Sequence, residues 1–218
     1  MTNAIWNGVP QPHGLYDPAN EKDSCGVGFV AHVKGQRSHQ IVLDAEQVLR
    51  NMDHRGACGC EKNTGDGSGI LTALPFEFFD RIAREELKTS LPEPGLYGVA
   101  QVFLPTDAAE RQTCKETLES VVRECGQRVV GWRRVPTDAR RADIGPSALA
   151  TEPVVEQLFV ASADGLDRSA FCRELFLIRK MTYHRLRKLT LKQKSMYYVC
   201  SFSSRIIVYK GQLTSGQV

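Results

Sequence analysis

Four apolar runs in the second half of this chain, RVVGWRRVP, PVVEQLFVA, SMYYVCSF and RIIVYKG, most constrain what it can fold into. Each has the length of a strand and is rich in β-branched and aromatic residues. The third and fourth follow one another with no room for a helix between them. Parallel strands need a crossover, usually a helix, so consecutive strands of this kind point to an α+β layered sheet and away from a parallel doubly wound one. Earlier strand candidates are GVGFVAHV (26–33), ILTALP and YGVAQVFLP (97–105).

Helices are expected where apolar residues recur at helical spacing. Val42, Ala45, Leu49 and Met52 mark one over about 40–53, and Phe76 to Leu87 reads as another. Asp107, with Glu110 three residues on, has the form of a capping box at the start of a third. Asp167 opens a fourth, with Phe171, Leu175 and Ile178 on one face.

The chain's 218 residues suffice for one large domain or two small ones. Its net charge of +3 is too small to argue for a nucleic-acid or membrane partner. No apolar run approaches the roughly 18 residues that span a bilayer. MTNAIWNGVPQPHGLYDPANEKDS lacks a basic start and an apolar block and carries three prolines, so residues 1–24 read as an extended leader without an export signal. The seven cysteines are then simplest as reduced thiols of a cytoplasmic protein. Nine Lys or Arg and no acidic residue lie between Leu175 and Val218, readable as a solvated helix face or as a nucleic-acid patch. Tyr197, Tyr198 and Phe202 in that stretch are expected to supply core.

Chemistry has few local candidates. Ser24-Cys25-Gly26-Val27-Gly28 could present an exposed nucleophile ahead of flexible glycines, or a small buried thiol. Cys58-Gly59-Cys60 is a poor zinc signal without a second pair, and no metal ligand is assigned. GDGSG is only loosely like a phosphate-binding loop, because it lacks the Lys-Ser/Thr ending.

Read together, the segments say more. CGVGFVAHVKGQRSHQIVLDAEQVLRNMDHRGACGCEKNTGDGSGI resembles the start of the mature large subunit in the glutamate synthase family. The likeness continues through YGVAQVFLP, GWRRVP and YYVCSFSSRIIVYKGQLTSGQV and so covers 25–218, with HRGACG and TGDGSG its most specific parts. It implies a class II glutamine amidotransferase domain, an N-terminal-nucleophile hydrolase with a four-layer αββα sandwich. Residues 1–24 are then a propeptide cut off before Cys25, and 25–218 belong to the amidotransferase domain. Cys25 becomes the nucleophile, and Arg55 and Gly56 line the substrate pocket. Arg55, with its permanent charge and fixed fork of donors, suits a role in orienting the site or holding a carboxylate. Asp66 and its neighbouring glycines are expected to shape a nearby loop.

The resemblance also carries expectations about what lies beyond this chain. The family's domain continues past the segment matching YKGQLTSGQV, with an Arg-Phe-Ser-Thr-type motif for the substrate carboxylate and an Asn-Gly pair for the oxyanion hole. Ser203-Ser204-Arg205 is not that motif, and the only Asn-Gly here is Asn7-Gly8 in the leader. Losing one oxyanion donor costs about 2.7–4 kcal/mol, so the chain alone is expected to release little ammonia from glutamine, and its unpaired sheet edges to hinder folding. No cofactor is expected on this segment; the whole enzyme would carry FMN and an iron–sulfur cluster elsewhere. The implied partners are glutamine, the remaining synthase domains, and a small electron-donating subunit or ferredoxin, with neither nucleic acid nor membrane. Two other readings stand beside this one: an asparagine- or purine-forming class II amidotransferase, against which GWRRVP and SFSSRIIVYKG argue, and a non-catalytic binding module.

Overall fold

A computed structural model of the chain describes residues 12–14, 17, 25–56, 61–163 and 166–218. Most of the 1–24 leader, including Asn7-Gly8, and the Cys58-Gly59-Cys60 stretch therefore lie outside the described residues.

The elements run α1 (His39–Asn51), β1 (Ser68–Ala73), α2 (Phe76–Glu85), β2 (Tyr97–Leu104), α3 (Ala108–Glu124) and β3 (Arg128–Arg134). Then follow α4 (Pro146–Leu149), β4 (Val154–Ala161), α5 (Arg168–Lys188), β5 (Tyr198–Ser203) and β6 (Ile206–Gly211). All strand pairs are antiparallel: one sheet has the order β3–β4–β2–β5, the other is the pair β1–β6. The two strands that adjoin in sequence, β5 and β6, belong to different sheets, and Ser204 and Arg205 carry the chain from one to the other.

Alternation along β2 sets the layers. Ala100, Val102 and Leu104 face α3 and α5 in a core with Leu118, Val121, Phe171, Leu175 and Ile178. Tyr97 and Val99 face the other way, into a second core with Phe159, Ile207 and the α2 residues Phe79 and Ile82. At Gly98 a Cβ would lie 2.4 Å from Leu175, so only a glycine lets α5 settle this closely on the sheet. With α1 packed against β1, the order is helix, sheet, sheet, helix, the expected αββα layering of an α+β fold.

Between the sheets runs a buried polar chain. Gln157 accepts from Arg133 at 3.0 Å and donates to Gln101 at 2.9 Å and to the Tyr209 hydroxyl at 3.2 Å. Arg133 also donates to the Glu86 carboxylate at 3.1 and 3.2 Å. The buried Gln157, Gln101 and Arg133 are thereby each given a partner, and the chain ends at the exposed Glu86.

The helices begin where their caps predict. The carboxylate of Asp167 accepts from Ala170 N at 2.7 Å, and backbone N–H groups of Ala170 and Ser169 hold its pKa below the usual range. Asp107 accepts from Glu110 N at 2.9 Å, but the expected box is only half formed. Glu110 instead accepts from the backbone N–H groups of Lys192 and Gln193 at 2.7 and 2.8 Å, and Asp107 N donates to Gln193 Oε1 at 2.8 Å. The cap thus ties down the loop that leaves α5.

One expected strand is corrected. GVGFVAHV forms no ladder: residues 25–32 lack regular secondary structure, and Val27 and Phe29 are each 90% exposed. Its apolar pattern suits a strand, but a strand needs a neighbour to bond, and none of the described strands runs beside it. Smaller shifts occur at ends: the first helix stops at Asn51 and a separate 3-10 turn covers Asp53–Arg55. Tyr197 and Phe202 enter the core as expected, whereas Tyr198 points outward under the ammonium of Lys210.

Candidate active site

The C-terminal end of α1 organises the candidate residues. After Asn51 the chain tightens: Met52 N donates to Val48 O and Leu49 O at 3.2 and 3.1 Å, then Arg55 N to Met52 O at 2.7 Å and Gly56 N to Asp53 O at 3.0 Å. This compact turn leaves His54, Arg55 and Gly56 exposed beside Met52. No ion pair joins the Arg55 guanidinium to another described residue, so its fork of donors is open to an external carboxylate.

The segment that begins at Cys25 lies along this end. A Cβ at residue 26 would sit 3.2 Å from both Arg55 Cβ and Met52 Sδ, and one at residue 28 would sit 2.4 Å from Val48 Cγ1. Gly26 and Gly28 thus serve close approach, letting residues 25–28 lie flat on α1. Gly26, and with it the exposed Cys25, is thus brought to the turn that carries Arg55 and Gly56, some thirty residues on in the sequence.

Cys25 differs from the other described thiols. It is exposed, whereas Cys114 is buried and Cys125, Cys172 and Cys200 are half-buried. Burial pushes Cys114 and Cys200 up to about 11, and it also raises Cys125, so these three hold little thiolate at neutral pH. The buried-thiol alternative for Cys25 is therefore set aside.

The turn after α1 is braced by the last residues of the chain. Ser215 donates a short hydrogen bond to the Asp53 carboxylate at the start of the turn that carries Arg55. Thr214 and Gln217 form a reciprocal cap, and Gln217 Nε2 donates to Asn63 O and Asp143 O, each at 3.0 Å. Neither Asp53 nor Ser215 is marked in the sequence, since they are far apart along it and belong to no motif.

The GDGSG glycines have a structural cause. A Cβ at Gly65 would lie 2.3 Å from Leu213 O, and one at Gly69 would lie 2.5 Å from Tyr209 O. They let the loop and β1 close against β6 and residues 213–214, while Asp66 stays exposed. Glu61 orders the next turn, accepting from Thr64, Ser147 N and Ser147 Oγ; the Ser147 and Thr64 hydroxyls and the Ser147 amide lower its pKa. Among the described residues no group of three or more His, Cys, Asp or Glu could hold a metal ion.

Residues 25–218 match the family of class-II glutamine amidotransferases. The chain is 40% identical to a glutamate synthase (NADH) of Schizosaccharomyces pombe, over 99% of this chain and 10% of that protein. It is 39% identical to a glutamate synthase (NADPH) large chain of Bacillus subtilis, over 98% of this chain and 14% of that one. A ferredoxin-dependent glutamate synthase of Arabidopsis thaliana is 37% identical, over 94% of this chain and 12% of its own length. The chain thus spans between 10% and 14% of the length of these relatives.

Proposed function

This chain belongs to the class-II glutamine amidotransferases, and from that premise we propose that it is the ammonia-releasing part of a glutamate synthase, with Cys25 as nucleophile. The observation that supports this reading is the close approach of Gly26, next to the exposed Cys25, to Arg55 and Met52.

The chemistry follows from placing that thiol at an N-terminus. Once residues 1–24 are removed, Cys25 has a free α-amine with a reference pKa of about 7.7–8.0, against about 8.5 for its thiol. The amine takes the thiol proton, the sulfur attacks the side-chain carbonyl carbon of glutamine, and the C–N bond breaks. Ammonia leaves with the proton that the amine returns, and a glutamyl thioester remains on Cys25. Water, deprotonated by the same amine, hydrolyses the thioester to glutamate. While Ser24 is attached, this nitrogen is an amide and cannot act as a base. Arg55 and Gly56 line the pocket, where the fixed fork of the guanidinium orients the site or holds a carboxylate.

In the whole enzyme the ammonia aminates 2-oxoglutarate on other domains, which carry FMN and an iron–sulfur cluster and receive electrons from a small subunit or ferredoxin. No step of the glutaminase chemistry above passes through either group. The relatives' names print NADH, NADPH and ferredoxin, so the donor differs among them. No helix among the described residues is long and apolar enough to cross a membrane, and the proposed compartment is the cytoplasm.

Replacing Cys25 tests the assignment. In the glutaminase-active enzyme, Cys25→Ala abolishes ammonia release from glutamine, while synthesis from added ammonia persists. Glutamine-dependent ammonia release by that variant would refute the role of Cys25.

A further inference from the structure

The turn that presents HRG and the loop TGDGSG both rest on one short segment, residues 213–217. A Cβ at Gly65 would lie 2.3 Å from Leu213 O and 2.6 Å from Thr214 N, so the loop closes directly on this backbone. One at Gly216 would lie 3.8 Å from Arg50 Nη1, so the same segment abuts the last turn of α1. Gln217 fastens it: its side chain donates to Asn63 O and Asp143 O, each at 3.0 Å, and accepts from Thr214 N at 2.8 Å. Asn63 O also accepts from Gly145 N at 2.9 Å. Residues 213–217 are therefore a fixed base.

The turn over Asp53–Arg55 needs such a base. It is a 3-10 turn of three residues, a form whose hydrogen bonds are poorer than those of an α-helix, and none of its residues is buried. Its N-cap, Met52, supplies no side-chain hydrogen bond. Backbone bonds from Arg55 N to Met52 O and from Gly56 N to Asp53 O close the turn on itself without fixing it to the sheets. The His54 ring reaches only Asn51 O, at the end of α1. Asp53 reaches further: its Oδ1 accepts from Ser215 Oγ, across 162 residues of sequence. A carboxylate acceptor makes such a bond stronger than one between neutral groups. No ion pair joins Asp53 to another described residue, so no cation competes there with the Ser215 hydroxyl.

We propose that Ser215 and Asp53 are positioning residues for the glutaminase reaction, their hydrogen bond setting where the turn presents Arg55 to the substrate. The inference rests on the glutaminase reading and deepens it. Asp53 and Arg55 share one turn, so freeing the first lets the second wander, while the Cys25 segment stays packed through Gly28 on Val48. Attack by the sulfur and the proton transfers of the Cys25 amine need neither Ser215 nor Asp53. The bond therefore acts on substrate binding. A brace that served the fold alone would act instead on the fraction of active enzyme, and so on kcat.

Steady-state kinetics of ammonia release by the glutaminase-active enzyme tests this. Ser215→Ala removes the donor and Asp53→Ala the acceptor. Each should raise KM for glutamine about threefold to tenfold, the range expected for one hydrogen bond, with kcat changed by less than about twofold. Because both residues act through one bond, the double variant should be no worse than either single one. Ser215→Thr keeps a hydroxyl and should restore KM, and synthesis from added ammonia should be the same in every variant. Unchanged KM in both single variants would overturn the inference. Effects that add in the double variant, or a fall in kcat at unchanged KM, would do the same. Cys25→Ala, assayed alongside, keeps the two claims apart. If it still releases ammonia, the glutaminase reading fails and this inference with it. If it is inactive and KM in Ser215→Ala is unchanged, only the positioning role falls.

Discussion

A methyl group at Gly28 would meet Val48 Cγ1 at 2.4 Å, closer than a side chain can tolerate, so this residue controls how firmly the Cys25 segment is held. Gly28→Ala should lift residues 25–28 off α1 without touching the sheet cores. Overpacking of this kind costs about 1–3 kcal/mol, so local opening should rise by about one to two orders of magnitude. The rate of limited proteolysis at residues 26–30 measures it, and Val48→Ala in the same chain should restore resistance to cleavage. An unchanged rate in the single variant would mean that the glycine is there for another reason. The identity of Cys25 as a candidate came from its neighbours in the sequence, but its exposure did not: a lone thiol beside apolar residues reads equally well as buried. Arg55 and Gly56 became candidates through the family resemblance of the HRGACG stretch, not through composition or spacing. Asp53 and Ser215 did not, because a hydrogen bond between residues so far apart leaves no mark on local pattern.

At the level of elements, the tie between α3 and α5 gives a test in pH. Hydrogen bonds from Arg185, and then from Ser120, hold the Glu124 carboxyl at about 2, below its ordinary 4.5. A carboxyl lowered in the fold stabilises it fully above the ordinary value, and that contribution is lost as pH falls toward the folded value. Glu124→Gln should therefore unfold more readily than the unaltered chain at pH 7, with the deficit shrinking between pH 4.5 and about 2. A deficit that stays constant through that range, measured by urea unfolding, would contradict this account of the tie. Helix starts were readable from Asp107 and Asp167, since capping is chemistry within four residues. The second half of the Asp107 box was misread, because Glu110 is drawn to the loop after α5 instead. GVGFVAHV misled for a related reason: alternation reports a potential strand, and pairing depends on what lies beside it.

For the molecule as a whole, the fully buried Gln157 bonds Arg133 and Gln101 within the four-stranded sheet and reaches Tyr209 of the other sheet, beside the apolar contact of Val99, Phe159 and Ile207. Gln157→Leu keeps the volume but strands these groups without partners, at roughly 1–3 kcal/mol for each one left unsatisfied. A loss of about 3 kcal/mol in urea unfolding is expected, and a loss below about 1 kcal/mol would show that the sheets meet through their apolar residues alone. The strands themselves were visible in the sequence, whereas their assignment to sheets was not. SMYYVCSF and RIIVYKG adjoin, yet one pairs with β2 and the other with β1, a choice made by packing between distant segments. The mechanism proposed for this fold depends on one covalent fact, a free amine on Cys25, and N-terminal sequencing of the glutaminase-active protein from its host reads it directly. The sequence should begin at Cys25, followed by Gly26 and Val27; an active enzyme that still begins at Met1 would contradict it.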